Sequence, residues 1–265
     1  ELELEKAACA AEDFQALAQI TALERVEIVD SPINSLDCLS NLTGLKRLHI
    51  RGSSEAAGTI PDLSALSGLV NMEDLYLYLD GLSDLSGVAG MTKLKSLVMT
   101  GSMNISDLSP LSGLTELETL EVPGVGENVG VDLSPLSGLT KLETLRTGSN
   151  VVDLSPLSGL TKLRELDLTY GGYSSSDSKE YQSLEPLASL TELTSLTIRN
   201  LKVGDLSSLS NLNRLRSLTI YNAASIRDLS PLAGLKNLKS LTIRGARYEL
   251  DTSALSQVSN ISIER

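Results

Sequence analysis

Any catalysis in this chain would have to be assembled from few parts. His49 is the only histidine, and Cys9 and Cys38 are the only cysteines. A Ser–His–Asp relay would depend on His49, and no Gly-x-Ser-x-Gly elbow accompanies it. One histidine with two distant cysteines lacks the ligand spacing of a metal site, so neither metal nor cofactor is expected. His49 lies at the outward position of Leu48-His49-Ile50 and reads as a solvated face residue. Gly124-Val-Gly126-Glu-Asn-Val-Gly130 is superficially like a phosphate loop. It lacks the Lys-Ser/Thr ending and the long helix that follow in such loops, and reads as an insertion. The cysteines are either one bridge or two small buried hydrophobes, the second being the commoner fate of a thiol. These observations favour a non-enzymatic chain.

Two other sets of residues carry potential chemistry. Asp62, Asp84, Asp107, Asp132, Asp153, Asp205 and Asp228 each precede a short Leu-Ser segment. Regularly spaced acids invite a Ca²⁺ hypothesis, but no Asp-x-[Asp/Asn]-x-[Asp/Asn]-Gly loop is present. Capping of a turn by accepted backbone N–H bonds explains them better. The second set is aromatic and cationic: Tyr76, Tyr78, Tyr170 and Tyr221 with Arg146, Arg199 and Arg244, and the acids Asp74, Glu121 and Asp167. Tyr and Arg are the residues enriched at interface hot spots.

The elements that position these residues recur. Leu fills 53 of 265 positions, whereas Phe occurs once and Trp never. The motif Leu-x-x-Leu-x-[Ile/Leu] appears from Leu23–Ile28 to Val258–Ile263, and Leu2 and Leu4 look like the end of one more copy, giving twelve candidate strands. From each Asp named above to the next strand landmark (Leu75, Leu97, Leu120, Leu145, Leu166, Leu218, Leu241) is 13 residues, and Ser35 and Ser183 hold the same place in two further copies. Only the last repeat breaks this register, so length variation elsewhere falls between a strand and the following Asp or Ser. The alternation is that of a strand with one buried face. So short a strand hides its backbone and leucines only by stacking on identical coils. In Ser109-Pro110, Ser134-Pro135, Ser155-Pro156 and Ser230-Pro231, Ser suits an N-cap and Pro the first helical position. Each such segment is too short for more than one helical or 3-10 turn. A coil with one narrow and one wide side must curve.

The stretch Leu142-Glu-Thr-Leu-Arg-Thr-Gly-Ser-Asn150-Val-Val-Asp153-Leu-Ser-Pro-Leu-Ser-Gly-Leu is similar to the leucine-rich repeat superfamily, and within it to the bacterial internalin-like group with ~22-residue repeats. The resemblance implies an α/β repeat fold: a curved solenoid with a parallel β-sheet on the concave face and short 3-10 or helical turns on the convex face. The asparagine of the superfamily's turn is matched only at Asn150. Its equivalents include Ser31, Asp80, Ala223 and Ala246, and Asn200 and Asn222 sit one residue early, so turn geometry should differ between coils. The whole chain, 1–265, is expected to be one domain. Residues 1–22 would form an N-terminal helix, first coil or cap (a helix over 5–19), and 23–265 about ten further repeats.

Net charge is −12, from 22 basic and 34 acidic residues. That disfavours nucleic acid and anionic membrane surfaces, which attract a basic surplus, and no apolar run reaches membrane-spanning length. The resemblance implies a secreted or surface-displayed bacterial module that binds a protein or glycan, whereas a cytoplasmic regulatory subunit resembling the leucine-rich repeat phosphatase regulators is the alternative. The candidate binding residues on the concave face are Asp74, Tyr76, Tyr78, Glu121, Arg146, Asp167, Tyr170, Arg199, Tyr221 and Arg244. The largest insertion, Thr169–Gln182, adds Tyr173 and Tyr181 on a Gly/Ser-rich base.

Overall fold

The computed structural model of the chain describes residues 1–5, 22–31, 33, 35–52, 60–101, 104–122, 130–148, 150–151, 153–168, 183–199 and 203–265. The expected helix over 5–19 falls outside these almost entirely, as do Cys9, Tyr170, Tyr173 and Tyr181. The chain divides into two compact units, Glu1–Val131 and Asp132–Arg265.

In the first unit the ladder runs through β1 (Leu2–Glu5), β2 (Arg25–Ser31), β3 (Arg47–Gly52), β4 (Asp74–Tyr78), β5 (Ser96–Thr100) and β6 (Thr119–Val122). In the second it runs through β7 (Thr144–Thr147), β8 (Glu165–Leu168), β9 (Ser195–Ile198), β10 (Ser217–Ile220), β11 (Ser240–Arg244) and β12 (Asn260–Glu264). All pairings within each ladder are parallel, and the motif landmarks face one another: Val26, Leu48, Leu75, Leu97 and Leu120 in the first unit, Leu145, Leu166, Leu196, Leu218, Leu241 and Ile261 in the second. Leu2 and Leu4 do belong to a further strand, paired with Val26 and Ile28.

Between strands the chain returns through a turn built on threes. In the coil before β4, Leu66 N–H donates to the Leu63 carbonyl at 2.9 Å, Leu69 to Leu66 at 2.9 Å and Met72 to Leu69 at 3.1 Å. A 3-10 turn has three residues per turn, so side chains three apart eclipse. The sequence period of three in Asp-Leu-Ser-x-Leu-x-x-Leu-x-x-Leu therefore drives each of these leucines to one side. Leu63, Leu66, Leu69, Met72, Leu75 and Leu77 are all fully buried. The same six positions recur along both units as the core.

The aspartates cap these turns. Ser64 N–H donates to Asp62 Oδ1 at 2.9 Å, and Ser109, Ser134, Ser155, Ser207 and Ser230 donate in the same way to Asp107, Asp132, Asp153, Asp205 and Asp228, each at 2.8 Å. Ser35 and Ser183 substitute with their hydroxyl oxygens, accepting from Asp37 and Glu185 at 3.0 and 3.1 Å. The last coil, which departs from the 13-residue spacing, keeps the device: Asp251 Oδ1 accepts from Ser253 N–H at 2.8 Å. The expected role of Ser and Pro shifts by one place. The 3-10 turns begin at Ser109, Ser134, Ser155 and Ser230 with Pro second, Leu stands at the N-cap, and the capping acceptor is the Asp before it.

The strand-to-turn corner solves the missing asparagines differently in different coils. Asp30 (φ 50°), Asn222 (φ 58°), Gly101 (φ 115°) and Gly245 (φ 75°) are left-handed and immediately precede the positions equivalent to Asn150. Asn is one of the few side chains that tolerate this region, which explains why Asn222 sits one residue early. Ser31, at an asparagine-equivalent position, is fully buried and donates its hydroxyl to the Val29 carbonyl at 3.0 Å. Cys38 is half-buried in the Asp37–Leu39 turn rather than part of the sealed core.

Candidate functional site

Alternation along each strand sends one set of side chains inward and the next outward. The outward set forms the candidate face in each unit. In the first unit, the register places Asp74 beside Arg47, Tyr76 beside His49 and Tyr78 beside Arg51. Tyr76 and Tyr78 are half-buried on β4. The His49 and Tyr76 rings are 5.9 Å apart at 55°, and His49 Nε2 lies 3.3 Å from Asp74 Oδ2. His49 is thus on the outward face as expected, yet its side chain is only 33% exposed. It packs against a tyrosine ring and near a carboxylate, its Nε2 buried without a hydrogen-bond partner among the described residues, where a freely solvated residue was expected. Arg25 pairs with Glu27 at 3.1 Å and Glu1 at 3.0 Å. Glu121 stands beside Val98, two strands from Tyr76.

In the second unit, Arg146 donates to Glu165 at 3.0 Å and stands in register with Asp167. From β9 to β11 the face becomes a hydroxyl array: Ser195, Ser217 and Ser240 form one row, and Thr197, Thr219 and Thr242 the next. At the strand exits the Arg199 guanidinium lies 4.0 Å from the centre of the Tyr221 ring and Arg244 5.5 Å from it. Arg244 Nε also meets Glu264 at 3.2 Å. The structure therefore brings Asp74, Tyr76 and Tyr78 together in one unit. It brings Arg199, Tyr221 and Arg244 together in the other, with Arg146 beside Asp167.

Sequence reasoning missed His49 as a packed member of the first cluster, because only the register reveals its partners. It also missed the column just before the strands. There Lys46 meets Glu24 at 2.6 Å, Lys95 meets Glu73 at 3.5 Å and Arg164 meets Glu143 at 3.5 Å. The ~22-residue recurrence of alternating charge was a signal for it. Among the described residues no group of three His, Cys, Asp or Glu is placed to hold a metal ion. None of the described helices is long and apolar enough to cross a membrane.

Comparison with known proteins agrees with this architecture. Residues 131–246 match the family described as R13L1/DRL21 LRRs. An internalin (inlF) of Listeria monocytogenes superposes with a TM-score of 0.68 at 28% identity, over 98% of this chain and 84% of that one. Internalin C2 of the same organism gives 0.57 at 27% identity, over 76% of this chain and 83% of that one. A Leptospira interrogans LRR protein gives 0.57 at 14% identity over 98% and 69%, a likeness of fold alone. No curated protein sequence matches the chain. The chain is a leucine-rich repeat protein. Its likeness to the listerial internalins extends over nearly its full length.

Proposed function

We propose that this chain is a non-enzymatic recognition module of a secreted or surface-displayed bacterial protein, and that it engages a protein or glycan through its strand face. The observation that carries the reading is the cluster on β3 and β4. Tyr76 and Tyr78 project from one strand, and His49, in ring contact with Tyr76, stands 3.3 Å from Asp74. Two tyrosines on a rigid sheet supply large amphipathic contact area with little side-chain entropy to lose. The internalin likeness supports the same reading. In the first unit Glu121 adds a charged group to this strand face, and in the second unit Arg146 and Asp167 stand in register on the corresponding face.

The test is binding of the purified chain to arrays of extracellular proteins and of glycans. Saturable binding is expected to at least one ligand, weakened at least ~tenfold in Tyr76→Ala/Tyr78→Ala, as expected of hot-spot residues. Circular dichroism should not change. Equal binding by the variant would remove this cluster from the site.

A further inference from the structure

Charge is unevenly divided along the chain. Residues 199–265 carry ten basic and five acidic side chains, whereas residues 1–198 carry twelve and twenty-nine, so the net −12 separates into −17 and +5. The structure shows where the local excess lies. In earlier coils each cation in the column before a strand meets an acid one rung away, as in Lys46–Glu24, Lys95–Glu73 and Arg164–Glu143. In the second unit that column continues as Thr194, Arg216, Lys239 and Ser259. Arg216 and Lys239 stand on neighbouring rungs, both exposed, with no acidic partner among the described residues. At the opposite border of the same strands are Arg199 and Arg244, set about the ring of Tyr221, with Arg244 also paired to Glu264 at 3.2 Å. Arg199 Nε is buried without a hydrogen-bond partner among the described residues. Between the two borders, about 17 Å apart at ~3.3 Å per residue, lie only the hydroxyls of Ser217, Thr219, Ser240 and Thr242 and their neighbours on β9.

We propose that the face of β9–β11 is a binding site for an anionic polysaccharide, one bearing sulfate or carboxylate groups along a polyhydroxylated chain. Rows of Ser and Thr exchange hydrogen bonds with sugar hydroxyls, and the flanking Arg and Lys meet the anionic substituents with charge-assisted bonds. A row of such contacts recurs every ~4.8 Å across the strands, which suits a repeating ligand lying across them. The face suits a protein partner less well. The exposed large apolar side chains among the described residues are Val70 and Tyr248, and neither lies on β9–β11, so the apolar anchors that centre a protein interface are lacking. Single-stranded nucleic acid would need an open aromatic platform, and the ring of Tyr221 is taken up by Arg199 and Arg244.

This site is separate from the tyrosine cluster of the first unit, and the experiment separates them. Heparin serves as the probe, with neutral dextran and a single-stranded DNA of equal charge as comparators. Heparin is expected to bind saturably and to weaken steeply with added salt, as interactions between exposed charges do. Arg216→Ala/Lys239→Ala and Arg199→Ala/Arg244→Ala should each weaken it at least ~fivefold, whereas Tyr76→Ala/Tyr78→Ala should leave it unchanged. Arg216 and Lys239 are exposed, so their removal does not endanger folding; circular dichroism checks both variants. Absent heparin binding, or equal binding by both cation variants, overturns the proposal. DNA binding as tight as heparin binding overturns the assignment to a polysaccharide.

Discussion

Individual residues in this chain are interchangeable in the core and irreplaceable at a few corners. Leu, Met, Ile and Val fill nearly all the inward positions with little effect on register, with Thr147 a buried polar exception. Gly87 is different. It occupies the second place of the Ser86–Val88 turn, where other coils have Pro, Ala, Ser or Cys. A Cβ there would stand 1.9 Å from the Leu63 carbonyl oxygen and 2.2 Å from its carbon, and backbone cannot yield as a flexible side chain can. Gly87→Ala is therefore expected to lower unfolding free energy by about 1–3 kcal/mol, the usual range for overpacking. Gly113→Ala, where nothing lies within 4 Å, should stay within about 0.5 kcal/mol. Urea unfolding of the two variants checks this, and equal midpoints would refute the close approach. The local sequence shows that Gly87 stands where other coils carry a side chain, but not the clash, which depends on the neighbouring coil. Asn222 was legible only as an anomaly of spacing; its left-handed φ of 58° supplies the reason.

At the level of elements, the repeat made the fold readable in advance. Alternation located the strands, and the period of three located the turns, because each periodicity is set by one backbone geometry. The capping role of the aspartates followed from their distance to the Ser-Leu segment. The offset of Ser and Pro by one place did not, since a 3-10 turn and an α-helical turn start differently from the same residues. In Asp153 the carboxylate accepts from both the backbone N–H and the hydroxyl of Ser155, at 2.8 and 2.5 Å. Asp153→Ala removes both bonds and should lower the unfolding midpoint. Asp153→Asn, whose side-chain oxygen still accepts from the N–H, should fall between it and the parent chain. Ordering of the three by thermal unfolding tests whether the cap, rather than the charge, supplies the effect. The binding faces were less legible than the fold. The outward residues were readable, but the contacts of His49 with Tyr76 and of Arg199 with Tyr221 arise from register between coils separated by 22 or more residues.

Across the whole molecule, repetition turns one small titration into a collective one. Hydrogen bonds from the following serine hold the carboxyls of Asp62, Asp107, Asp132, Asp153, Asp205, Asp228 and Asp251 below their usual value of 3.8. Repulsion from the aspartate of the preceding coil opposes this at Asp153 and Asp228. Neighbouring acids thus disturb each other's titration. The unfolded chain binds these protons near pH 3.8, more readily than the folded chain does. The caps contribute fully above that pH, and their contribution is lost as pH falls through the lowered folded-state values. Urea midpoints measured from about pH 7 down to about pH 2.5 should therefore fall most steeply below about pH 4. In Asp107→Asn/Asp153→Asn/Asp228→Asn, three titrating caps are replaced by neutral acceptors. That variant should start lower at neutral pH and lose less on acidification, so the two curves converge. Parallel curves would mean that acid unfolding of this chain is governed by its overall charge and not by the capped turns.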